Sequence, residues 1–198
     1  MGRLLLLNDV ATEMDALLTG DKDLPASEEG EQQSKFIADF VIEKCQQIDY
    51  IASSDAQRIT KLVHHFRFKH SKKKYKPYVG LRERNFGVLT GAPYSLNSDM
   101  FQHSRICAEG GESVQQCRLR VMQVVNELCQ EMNCYILMIS HPFTCQIIHN
   151  VLCNRAHTIV ENFWMRKGSL GIYQYNSGAY GLNWKLLEEV NVIPPSQG

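Results

Sequence analysis

Apolar and polar positions alternate along this chain in two distinct rhythms. Leu4–Leu7 is an unbroken apolar run that stops abruptly at Asn8-Asp9, the pattern of a strand buried on both faces that releases polar groups at its carboxyl end. "TGDKDLPASEEGEQQ" is then turn-rich and acidic, with Ser27 placed as a helix N-cap ahead of Glu28 and Glu29, and a helix continues over Ser34–Gln46. "IDYIASS" (Ile48–Ser54) reads as a second strand, and Ile59, Leu62, Val63 and Phe66 fall at helical spacing after it. Residues Ser71 to Gly111 show no periodicity and predict a long loop, of the sort that is functional or mobile. Glu112–Met132 predicts the longest helix, and Cys134–Ser140 a buried parallel strand. Pro142 opens a further helix at a position that tolerates proline. "SLGIYQYN" and "GLNWKLLEEVN" close the chain as two strands of a hairpin turning through Ser177-Gly178.

The order β-α-β-α-loop-α-β-α-β-β predicts a three-layer α/β/α sandwich whose sheet is mostly parallel with an antiparallel edge strand. At 198 residues, one domain over 1–198 is the expectation. Twenty-one basic residues balance 21 acidic ones, so net charge points to no partner. The seven cysteines are an odd number without a C-x-x-C pair and read as reduced thiols. No apolar run reaches the roughly 20 residues of a membrane helix, and no signal peptide is visible, which predicts a cytoplasmic or otherwise intracellular protein away from membranes.

Local charge says more than the total. "RFKHSKKKYK", Arg67 to Lys76, holds six basic residues in ten with Phe68 and Tyr75 interleaved. It reads either as a solvated segment or as a docking surface for a protein partner, an acidic ligand or nucleic acid. "HHFRFKH" lacks a second ligand pair and is not a zinc pattern.

Four separated stretches then fall into one order: "DLPASEEGEQQ", "SSDAQR", "LRERNFGVLTG", and "GGES" followed by "ILMISH". Together the chain resembles, over nearly its whole length, the histidine phosphatase superfamily with its phosphoglycerate mutase-like fold. That family carries D-x-P-L-T-x-x-G-x-x-Q, S-S-x-x-x-R, L-x-E-x-x-F/Y-G-x-x-x-G, a G-E-S helix and a final S-H. The resemblance implies that Arg58 matches a phosphate-binding arginine, Glu83 the proton donor of the mutase-like members, and His141 the second histidine, which stabilises the transferring phosphoryl group. It also implies that strand one should end in Arg-His-Gly, where the histidine is the nucleophile and the arginine holds phosphate. This chain has Asn8 at the position of that arginine, Asp9 at that of the nucleophile, and Val10 at that of the glycine. Asp15 stands for the family's next asparagine and Pro142 for the usual glycine after His141.

Phosphoryl transfer depends on positive charge around the phosphate oxygens, so these replacements change the sign of the site. A carboxylate about 4 Å from a phosphate oxygen opposes binding by roughly 4 kcal/mol at an effective dielectric near 20. With Asp9, Asp15 and Glu83 against Arg58, a small phosphorylated ligand is expected to bind weakly. Several readings stay open. Asp9 can cap the backbone after strand one, or act as an aspartyl nucleophile, although Ala11 breaks the D-x-D pattern of metal-dependent aspartate phosphatases. Thr12, Cys45 and Cys145 are further nucleophiles without a visible base. Arg58 and Glu83 can pair with neighbours inside the crevice, and His141 can be a structural histidine. Asp9, Asp15, Glu83 and His141 lack diagnostic metal spacing, so no cofactor or metal is expected. The expectation is a histidine-phosphatase-fold protein without the nucleophile that acts as a binding or regulatory module. Its rival is an active phosphomonoesterase or mutase-like enzyme with a non-standard nucleophile.

Overall fold

The computed structural model describes residues 1–69, 74–94, 107–131, 134–155, 166–178 and 181–193. Six strands, β1 (Gly2–Asn8), β2 (Tyr50–Ser53), β3 (Lys74–Pro77), β4 (Tyr135–Ser140), β5 (Ser169–Gly178) and β6 (Gly181–Asn191), form one sheet in the order β3-β2-β4-β1-β5-β6. The helices are α1 (Glu28–Lys44), α2 (Gln57–Lys69), α3 (Val114–Glu131) and α4 (Pro142–Leu152).

The four consecutive leucines of β1 explain the layering. Side chains alternate across a strand, so Leu4 and Leu6 join the core under α3 and α4, while Leu5 and Leu7 join the core under α1 and α2. Cys117, Val121 and Val125 of α3 with Phe143 and Ile148 of α4 complete the first core, and Ile37 and Val41 of α1 with Ile59, Leu62 and Phe66 of α2 complete the second. The result is the expected α/β/α sandwich.

Local signals set the helix starts. Ser27 accepts the Gly30 N–H at 3.1 Å as N-cap of α1, and Pro142 occupies the first turn of α4. A Cβ at Gly30 would lie 2.2 Å from the Ala11 carbonyl oxygen, so only glycine permits α1 to sit against the loop after β1. Gln33 accepts the Ala11 N–H at 3.0 Å on the same loop.

The antiparallel edge is present and two strands deep: β5 runs antiparallel to β1, and the edge strand β6 runs antiparallel to β5. At the other edge, part of the expected loop is a strand, β3, parallel to β2. Its four residues carry no long apolar run, and pairing with an already ordered neighbour supplies what their local pattern lacks. The β5–β6 hairpin forms, with pairing that extends to Gly178 opposite Gly181, past the expected turn. Lys72 and Lys73 of the basic run, and residues 95–106 of the expected long loop, lie outside the described residues. Among the described residues no helix is long and apolar enough to cross a membrane.

Candidate functional site

Three strands run parallel and in register toward one end of the sheet, with Asn8 opposite Ser140 and Ser53 opposite Ile139. The next residue of each chain segment is polar: Asp9 after β1, Ser54 after β2, His141 after β4. Open α/β sheets place ligand crevices at this end. Arg58 joins them from the first turn of α2, whose start is fixed by Asp23 accepting the Gln57 N–H at 2.6 Å. Asp9, Ser54, Arg58 and His141 are all buried.

These four side chains make one hydrogen-bonded cluster. Arg58 Nε donates to Asp9 Oδ2 at 2.8 Å, and Arg58 Nη2 reaches His141 Nδ1 at 2.7 Å. His141 Nδ1 also lies 3.2 Å from Asp9 Oδ2, and its Nε2 lies 2.8 Å from Ser54 Oγ. Burial opposes ionisation of Asp9, but the Arg58 guanidinium, aided by Lys167, holds its carboxyl well below the usual carboxylate range. The ion pair is therefore formed at neutral pH.

The Asp9–His141–Ser54 chain has the connectivity of a nucleophilic triad, and its polarity runs the wrong way. A guanidinium only donates, so the short Arg58 contact makes Nδ1 an acceptor and leaves the Nε2 proton to be donated to Ser54. A serine nucleophile needs the reverse. Ser54 is also fully buried and absent from the walls of the adjoining cavity.

That cavity, of about 390 Å³, is floored by Asp9 and Arg58 and walled by Leu17, Leu18, Phe86, Tyr94, Pro142 and Phe143, with Asp15, Thr19, Glu83 and Lys167 completing it. Lys167 pairs with Asp15 and donates to the Val10 carbonyl at 3.1 Å. Asp15 in turn accepts from the Thr12 N–H and hydroxyl, at 2.9 and 2.5 Å. Sequence reading missed Lys167. It precedes β5, and only the antiparallel pairing of β5 with β1, Leu170 opposite Leu7, brings it to the crevice.

Several expectations are corrected here. The backbone cap after β1 is Asn8, whose Oδ1 accepts the Asp9 N–H at 2.8 Å; Asp9 forms the ion pair instead. Among the described residues, no guanidinium donates to the Glu83 carboxylate. Its carboxylate accepts the Phe143 and Thr144 N–H groups at 3.0 Å each, the Thr144 hydroxyl at 3.1 Å and the Arg84 N–H at 3.0 Å. It thus anchors the N-terminus of α4, where an acid is favoured by the unpaired N–H groups and the helix dipole. The crevice is also less one-sidedly acidic than expected, because Lys167 adds a second cation. Of the spare nucleophiles, Cys145 is fully buried with its thiol pushed well up by burial, Cys45 is half-buried and raised for the same reason, and Thr12 donates to Asp15. Among the described residues no group of His, Cys, Asp and Glu is arranged to hold a metal ion.

In the described strand of the basic segment, β3, Lys74 lies opposite Tyr50 and Pro77 opposite Ser53, so the run enters the sheet at the end away from the crevice. Arg67, Lys74 and Lys76 are exposed, with Arg67 5.5 Å from the Tyr75 ring centre and Lys76 4.7 Å from that of Tyr78.

Comparison with known proteins bears on this geometry. No curated protein sequence matches the chain. Solved structures do: "mycobacterial hydrolase 1" superposes with a TM-score of 0.84 at 17% identity, covering 95% of this chain and 98% of that one. A mycobacterial glucosyl-3-phosphoglycerate phosphatase with inorganic phosphate gives 0.80 at 19% identity over 95% and 96%. A phosphoserine phosphatase mutant from Entamoeba histolytica in complex with phosphoserine gives 0.81 at 19% identity over 97% and 98%. At such identities the likeness is one of fold. The family model for the histidine phosphatase superfamily (branch 1) matches residues 10–186, beginning immediately after Asp9. The chain belongs to the histidine phosphatase superfamily.

Proposed function

We propose that this chain keeps the histidine phosphatase fold without phosphoryl-transfer chemistry and acts as a binding or regulatory module. The observation that carries this reading is the buried Asp9 carboxylate, ion-paired with Arg58 and 3.2 Å from His141 Nδ1 at the end of β1. Of the two groups suited to gripping a phosphoryl group, Arg58 already holds an internal anion and His141 Nδ1 is taken up by the same guanidinium. A phosphate entering the crevice meets a carboxylate where it needs a nucleophile and a positive field.

The rival reading, a phosphomonoesterase with Asp9 as nucleophile, is favoured by one feature: Asp9 Oδ1 has no hydrogen-bond partner among the described residues. Against it stands the ion pair that engages that carboxylate, since Arg58 donates to its Oδ2 at 2.8 Å and holds it as a weakly basic anion. An exposed basic edge, with Arg67, Lys74 and Lys76, gives the module a surface for an acidic partner. The test is incubation of the purified chain with para-nitrophenyl phosphate and with a labelled phosphodonor. We expect no turnover and no phospho-enzyme above a mock preparation. Turnover that disappears in Asp9→Ala would establish the rival.

A further inference from the structure

We propose that the crevice binds an uncharged small molecule with an apolar body and a polar end carrying one hydrogen-bond donor and one acceptor, for which an amide is the simplest case. This rests on the reading of the site as a binding pocket rather than a phosphoryl-transfer centre, and it names the class of ligand.

Charge gives the first argument. Arg58 is paired with Asp9 at the floor, Lys167 with Asp15 at the side, and Glu83 is held by four donors. An anion in this cavity approaches Asp9 and Glu83, and a cation approaches Arg58 and Lys167; among the described residues that line it, neither finds a free counter-charge. Burying an ion without one is strongly unfavourable. A neutral ligand avoids both penalties.

The walls give the second. Leu17, Leu18, Phe86, Tyr94, Pro142 and Phe143 line most of a cavity of about 390 Å³. That volume lies inside the roughly 300–1,000 Å³ range of small-molecule sites, and such walls reward a flat apolar body.

The floor supplies the third. Two buried side-chain atoms there lack a hydrogen-bond partner among the described residues: Asp9 Oδ1, an acceptor, and Arg58 Nη1, a donor. Native proteins rarely leave such atoms unmatched. Both residues line the cavity, and one needs a donor while the other needs an acceptor. A head group with a single type of polar atom satisfies only one of them, whereas an amide, with N–H and C=O, carries what both lack.

A charge series of one shape tests this on the full chain: benzamide, benzoate, benzylammonium and phenyl phosphate, titrated calorimetrically at neutral pH. Benzamide should bind at least about tenfold more tightly than each charged analogue, a difference of about 1.4 kcal/mol. Leu17→Trp and Thr19→Trp, which fill the cavity from one wall, should each weaken benzamide by about tenfold or more while melting as the parent does. Equal affinities, preference for any charged member, no saturable binding of benzamide, or full affinity in a folded tryptophan variant would each overturn the inference. Hydrolysis of phenyl phosphate would instead sink the non-catalytic reading. Absence of hydrolysis together with absence of amide preference would remove this inference alone.

Discussion

At the crevice floor Arg58 is 2% exposed and is bonded to Asp9 and His141, whereas at the β3 edge Arg67, Lys74 and Lys76 are exposed and none is ion-paired among the described residues. The same kind of charge has opposite consequences in the two places. Inside, a guanidinium without a carboxylate is costly, so the cation and its counter-ion become part of the fold. Outside, water solvates the ammonium groups, pairing contributes little, and the charge stays available to a partner. In a chain with no net charge, burial decides which cations hold the structure and which remain free to bind.

The sharpest way to break this contrast is Asp9→Ala. Removing one member of a buried pair leaves Arg58 uncompensated, and the expected loss is about 3–5 kcal/mol in urea denaturation. The same variant frees Arg58 from its counter-ion, so millimolar phosphate or vanadate should raise its melting temperature and leave the parent's unchanged, since a ligand stabilises only what it binds. A variant as stable as the parent would show that the floor does not depend on the pair.

Acid provides a smaller test. The carboxyl of Asp9 titrates lower in the folded chain than the ordinary value of about 3.9 in the unfolded one. Its stabilisation is therefore complete above about pH 4 and is lost as pH falls below that, because the unfolded chain then binds the proton more readily. Stability measured from pH 5 downward should fall more steeply in the parent than in Asp9→Asn. Parallel curves would mean that other carboxylates dominate acid unfolding.

The edge should show the smallest effect on stability. Lys74→Gln with Lys76→Gln is expected to change stability by no more than about 0.5 kcal/mol, as for other exposed positions. Capture of an acidic peptide by the parent should weaken steeply with salt and be largely absent in the double variant, since exposed charges are screened over about 8–10 Å at physiological ionic strength. Salt-independent capture would place the contact elsewhere.

Much of the fold could be read in advance, because β1, β2, β4 and the helices each carry a local signal. Leu4–Leu7 shows a doubly buried strand, Ser27 a cap, and Pro142 a helix start. β3 could not be read, since Lys74–Pro77 owes its extended form to β2 beside it. In the site, Arg58, His141 and Asp9 were legible as neighbours through the motifs that surround them. Those motifs serve as framework here: Asp23 fixes the start of α2, Gly30 and Gln33 pin the loop at Ala11, and Glu112 accepts the Asn85 N–H at 3.1 Å.

What the sequence determined by itself was the set of elements and the chemical identity of the residues at the strand ends, because periodicity, caps and residue type are local properties. The tertiary structure decided what those residues do. Asn8 caps and Asp9 pairs, two roles that adjacent polar residues could have exchanged and that the space around Arg58 assigns. Glu83 anchors a helix 60 residues away, and Lys167 reaches the crevice only because β5 returns antiparallel beside β1. Hydrogen bonds and ion pairs act over a few ångströms in space, and distance along the chain carries no record of them until the sheet has formed.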